Sequence, residues 1–177
     1  MKKTNARRVV FNALLIAIYF VLGTWATLKL ANLKITFEAL PILIGALLFG
    51  PADGLLIGLL GSFLSQLAGG YGLTATTPLW ILPHALSGLV VGLYGVRRRD
   101  RELRFRELLL ITAVSALLVT GLNTLALYVD AKIFHYYSKA LVFGSLAVRI
   151  VTGIATAAAF SAVLPPILRA LRRVLKK

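Results

Sequence analysis

Six long apolar stretches, each bounded by turn residues or short basic clusters, constrain this chain more than anything else in its sequence. Water offers no stable place for so much apolar surface. Hydrophobic residues make up 59% of the 177 positions and charged ones only 15%, with a mean hydropathy of +0.86, which is outside the range of an ordinary soluble domain. The stretches read as helices over about 6–28, 38–49, 52–68, 78–96, 108–128 and 140–168. They predict an all-α membrane protein, one integral membrane domain over 1–177 built as a bundle of six transmembrane helices. The second stretch falls short of the ~20 residues that cross a bilayer. It is therefore either tilted and extended by residues 33–37 or a partial span packed inside the bundle.

Met1-Lys2-Lys3-Thr4-Asn5-Ala6-Arg7-Arg8 ahead of an apolar run has the form of a signal peptide. The uncharged run that follows is about the ~20 residues of a full span, longer than a typical signal-peptide core. The net charge of +14 raises nucleic acid as a partner, but the basic residues cap apolar segments instead of lining a polar face, so none is expected. Their distribution sets orientation by the positive-inside rule. With the amino terminus inside, 15 of the 20 Lys and Arg residues fall on the cytoplasmic side, and only Lys29, Lys34, Lys132 and Lys139 fall outside. An even number of spans then puts both termini in the cytoplasm of a bacterial cell, with the chain multi-pass in its plasma membrane. The basic carboxy terminus, Arg169 to Lys177, reads as snorkelling side chains at the lipid head groups, with a partner or lipid anchor as the alternative.

No cysteine is present, and no Walker A, zinc-ligand, G-x-S-x-G or paired-carboxylate pattern occurs. The chain is expected to be no enzyme and to need no cofactor or metal. Any uphill transport must draw on an ion gradient or on another subunit. Polar side chains at membrane depth are costly and mark cavities or partners. Gln66, His84, Asn123 and Arg149 all fall in the outer third of their helices, above a base of Leu, Ile, Val, Ala and Gly. They predict a solute pocket open to the outside. Trp25, Phe37, Tyr71, Trp80, Phe134, Tyr136 and Tyr137 lie at the same level, as pocket walls or as an aromatic belt. Trp80 precedes His84 by four residues and shares its helix face. Basic residues outnumber Glu38 and Asp130 in this region, which favours an anionic solute; Arg149 alternatively forms a structural ion pair with Asp130 or Glu38. Gly54-x-x-x-Gly58, Gly88-x-x-x-Gly92 and Ala13-x-x-x-Ala17 allow close helix approach.

Ala13-Leu14-Leu15-Ile16-Ala17, Lys34-Ile35-Thr36-Phe37-Glu38-Ala39-Leu40-Pro41 and Leu48-Phe49-Gly50-Pro51-x-x-Gly54 with Gly58 resemble the substrate-binding S components of energy-coupling factor (ECF) vitamin transporters. The likeness covers most of the chain and is greatest to the folate-type branch. It implies a vitamin-binding subunit that works with a transmembrane coupling subunit and two ATPases. Ala13 and Ala17 would form the docking surface. Lys34, Phe37, Glu38, Trp80, His84, Asn123, Lys132, Tyr136 and Arg149 would supply the binding site. Folate is the first expectation; Thr77-Pro78-Leu79-Trp80-Ile81-Leu82-Pro83-His84 does not follow that branch, which leaves pantothenate, cobalamin or a pyrimidine precursor open. A self-sufficient facilitator or channel is the competing class, and it requires polar residues through the whole bilayer depth.

Overall fold

Gly50-Pro51 is the sharpest break in the bundle. Gly50 has φ 109° and ψ −170°, a conformation open to glycine and not to residues with a side chain. Its N–H still closes the preceding helix on the Ala46 carbonyl at 3.0 Å, and Pro51 opens the next one at a position that needs no donor. The computed structural model describes residues 3–25, 28–30, 33–35, 37–69, 72–98 and 103–175, with side chains from residue 6 onward outside the strands.

In chain order the elements are α1 (Lys3–Thr24), β1 (Leu28–Leu30), β2 (Leu33–Ile35), α2 (Ala39–Phe49), α3 (Pro51–Ala68), α4 (Thr77–Arg97), α5 (Phe105–Ile133), α6 (Lys139–Phe143) and α7 (Leu146–Leu175). Counting α6 and α7 as one interrupted helix gives the six of the all-α bundle, and five are long and apolar enough to cross a membrane. Three differences from expectation stand out. The first helix stops at Thr24 instead of Leu28, and the next residues form a small antiparallel hairpin pairing Leu28 with Ile35 and Leu30 with Leu33. The fifth helix is longer at both ends. The sixth is broken at Gly144-Ser145 and then runs on to Leu175.

α2 settles as the packed partial span. Its 11 residues rise only about 16 Å, and every residue from Pro41 to Leu47 is buried. It supplies Ile42, Leu43, Ile44, Ala46 and Leu47 to a core completed by Leu15 and Tyr19 of α1, Ile57 of α3, Val91 of α4, Leu108 and Ile111 of α5, and Phe160, Leu164 and Leu168 of α7. α3 and α4 meet backbone to backbone. A Cβ on Gly88 would stand 2.1 Å from the Gly54 carbonyl oxygen, and one on Gly58 2.3 Å from that of His84.

α5 ends in a Schellman-type turn. His135 takes φ 59° while the Tyr136 N–H donates to the Ala131 carbonyl at 3.0 Å, the long bond that marks this cap.

Candidate functional site

A cavity of about 600 Å³ opens among α2, α4, α5 and α7, a size suited to a small organic ligand. Side chains from each of these helices converge on it: Glu38 just before α2, Trp80 and His84 on one face of α4, Asn123 on α5 and Arg149 on α7, with Gln66 from α3 at its edge. These include five of the residues proposed from sequence. Leu43, Val119, Leu127 and Phe160 give it an apolar body, and Thr112, Ser115, Thr120, Thr152 and Thr156 add hydroxyls.

The cavity is deeper than a pocket confined to the outer third. Along α5 its wall runs from Leu127 down to Thr112, about 22 Å of helix. A neutral hydroxyl that bonds back to its own helix carries little of the cost that flags a buried charge in a sequence. Thr112 donates to the Leu108 carbonyl at 2.8 Å and meets Ser161 Oγ at 2.9 Å, while Ser87 and Ser115 Oγ atoms lie 2.6 Å apart.

The site carries charge of both signs. His84 Nε2 lies 3.9 Å from Glu38 Oε1, and the His84 ring stands edge-on to Tyr19 with centroids 5.7 Å apart. The absence of a side chain at Gly23 makes room for the Glu38 carboxylate, since a Cβ there would lie 2.6 Å from Oε2. Arg149 lines the same cavity from α7. Neither structural ion pair considered for it is formed among the described residues: Asp130 instead accepts from the Thr76 and Tyr136 hydroxyls. Trp80 lines the cavity with Glu38, His84 and Arg149.

Other expected site residues stand outside the lining. Phe37 is 40% exposed and touches the cavity only through Phe160, their rings 6.3 Å apart. Tyr136 spends its hydroxyl on Asp130. Lys132 lies over the Tyr137 ring, 4.3 Å from its centroid, a cation–π contact at the surface. The Lys34 side chain, Tyr71 and Thr36 lie outside the described residues. Ala13 and Ala17 are both exposed on α1, in line with Val10, Leu14 and Val21.

A second polar cluster was not anticipated. Asp53, in the first turn of α3, accepts from Arg8 Nε at 2.8 Å and from Asn12 Nδ2, and its other oxygen pairs with Arg8 Nη2. The base of the bundle is therefore not purely apolar. Asp53 follows a Gly-Pro break, where a carboxylate reads as an ordinary helix-start residue, and nothing in the spacing indicates that α1 passes over it.

Fold and site together define a multi-pass membrane protein with one solute-sized cavity set among its helices. The profile of the family described as "ECF transporter, substrate-specific component" matches residues 7–168, and the chain belongs to that family. Among solved structures, the fold is similar to the S component for biotin from an ECF-type ABC transporter, with TM-score 0.72, 16% identity and coverage of 98% of this chain and 95% of that one. It is also similar to FolT bound with folic acid (TM-score 0.68, 18% identity, 89% and 92% covered) and to a further S component of a bacterial ECF transporter (0.64, 22%, 98% and 99%). Among curated proteins, UPF0397 proteins of Streptococcus pneumoniae, strains CGSP14 and P1031, are 47% identical over 49 residues. That stretch spans 28% of this chain and about a quarter of those relatives.

Proposed function

We propose that this chain is the vitamin-binding membrane subunit of an ATP-driven ECF uptake transporter, and that its ligand is an anionic vitamin of the size of biotin, pantothenate or folate. The observation that carries this reading is Arg149. A half-buried guanidinium lines the cavity with no carboxylate partner among the described residues, and a cation within an apolar helix at membrane depth is costly unless something anionic meets it. Trp80 offers a ring face, and Glu38 with His84 offers acceptors and donors elsewhere in the lining. A ligand with a carboxylate at one end and a hydrogen-bonding ring at the other matches that set.

Family membership and the likeness to the S component for biotin and to FolT bound with folic acid support a vitamin as ligand class. Folate is one member of that set, and no contact in this cavity singles it out. The charge asymmetry of the loops supports both termini in the cytoplasm and a cavity that opens outward. Uptake on this reading requires a transmembrane coupling subunit and two ATPases, with Ala13 and Ala17 on the docking face of α1.

Mass spectrometry of the small molecule that copurifies with the chain expressed alone tests the proposal, followed by calorimetry with that compound. An anionic vitamin bound one to one is the expected result. No stabilisation by any of folate, biotin, pantothenate or their precursors, with nothing copurifying, would overturn it.

A further inference from the structure

A second recess of about 280 Å³ lies between the start of α5 and the end of α7. It has an apolar wall of Leu103, Phe105, Leu108 and Leu168 beneath Arg169 and Arg172. The two arginines are three residues apart and so share one face of α7. Arg169 Nε donates a long 3.4 Å bond to the Pro165 carbonyl, which turns that side chain back along the helix and over the recess. Neither guanidinium has a carboxylate partner among the described residues. The neighbouring linker Arg99-Asp100-Arg101-Glu102 is neutral as a unit, whereas Arg104, Arg106 and Arg173 add further positive charge.

The recess is separate from the ligand cavity. From Arg149 to Arg169 α7 rises about 30 Å, and fully buried Leu164 together with the Thr112–Ser161 hydrogen bond closes the space between the two. Its level in a bilayer follows from length. The 30 residues of α7 rise about 45 Å, more than the ~30 Å of hydrocarbon they must cross, so the last turns extend to the head groups. Phe105, 51% exposed at the first position of α5, lies beside them.

We propose that this recess binds an anionic phospholipid, with the head-group phosphate on Arg169 and Arg172 and the upper part of an acyl chain along Leu103 and Phe105. Paired guanidiniums over an apolar wall match a molecule whose charge sits directly above its hydrocarbon. A partner helix does not fit: a cube of this volume is about 6.5 Å on a side, against the ~10 Å diameter of a helix with its side chains.

The test uses the full chain in detergent, with native mass spectrometry and thermal unfolding in the presence of phosphatidylglycerol, phosphatidylcholine of the same acyl composition, or inorganic phosphate. Phosphatidylglycerol is expected to stay bound and raise Tm, and the other two are not. Arg169→Gln with Arg172→Gln is expected to weaken phosphatidylglycerol binding roughly tenfold to thirtyfold, from the usual contribution of a basic residue to anionic-lipid attraction. Arg173→Gln, outside the recess, should leave it within about twofold on the same scale. Should the double variant misfold, the single Arg169→Gln, at an exposed position, carries the test with a proportionally smaller loss. Equal protection by phosphatidylcholine, equal protection by phosphate alone, or an equal loss in Arg173→Gln would each overturn the assignment: the first removes charge, the second removes the acyl groove and the third leaves only diffuse attraction.

Discussion

Arg149 shows what a single ionisable residue in an apolar helix can reveal. The cost of an arginine within an apolar helix is legible from sequence, as is the choice it forces between a ligand and an ion pair. The structure narrows that choice by committing Asp130 to Thr76 and Tyr136. Arg149→Ala is accordingly expected to weaken binding of an anionic vitamin by about 1.5 to 3 kcal/mol, the usual worth of a hydrogen bond to a charged group, while thermal stability stays unchanged. Calorimetry on the purified variant checks it, and an unaltered affinity would assign Arg149 a structural role. Asp53 presents the opposite case: spacing does not reveal it, because its partners Arg8 and Asn12 lie on another helix. Asn12 is only 6% exposed and donates to the Asp53 carboxylate, so Asp53→Ala leaves a buried amide without its acceptor. The expected loss is about 1 to 3 kcal/mol of stability, mostly from Asn12, because the half-exposed Arg8 side chain is screened by solvent. A lower unfolding temperature in detergent, with Asp53→Asn falling less far, is the outcome sought; a variant as stable as the parent would show that the cluster contributes nothing.

The helices were readable as elements because each apolar run is long and ends at glycine, proline or a basic cluster. Their rotation was not. Phe37, Lys132 and Tyr136 follow from their depth and from the regions that the resemblance gives to the binding site, and neither says which way a side chain faces. The hairpin of 28–35 escaped because its strands continue the apolar pattern of α1 for only three residues each, too few for a period of two to register. The glycine pairs were interpretable without coordinates, and here the structure separates positions that look alike. A Cβ on Gly88 would meet the Gly54 carbonyl oxygen at 2.1 Å and its carbon at 2.3 Å, whereas one on Gly121 meets nothing within 4 Å. Gly88→Ala must push two backbones apart and is expected to cost about 1 to 3 kcal/mol, the range for overpacked cores. Gly121→Ala, in the middle of α5, is expected to gain up to about 1 kcal/mol from helix propensity. Unfolding curves of the two variants measured side by side decide the matter, and equal stabilities would mean that α3 and α4 are not packed through these glycines.

At the scale of the whole molecule, the cavity and the outward face of α1 are different surfaces. The cavity draws its lining from the α2 to α5 region and α7, and among the described residues no α1 side chain reaches it. α1 instead turns Leu15 and Tyr19 into the core and leaves Val9, Val10, Ala13, Leu14, Ala17 and Val21 outward. Ligand binding and partner docking are therefore separable by mutation if the outward face of α1 is where the coupling subunit sits. Small side chains at Ala13 and Ala17 permit the close helix approach that membrane packing favours, and an indole at either position holds the partner away. Ala13→Trp and Ala17→Trp are each expected to abolish copurification with the coupling subunit and its ATPases, while vitamin affinity of the solitary protein changes by less than about twofold, since neither residue contacts the cavity wall. Pull-down from membranes coexpressing all four subunits measures the first effect, and calorimetry on the isolated variants the second. A complex that still assembles from either variant would move docking off this face. Lost affinity in both would mean that the shape of the cavity depends on α1, the route Tyr19 offers through its edge-on contact with His84.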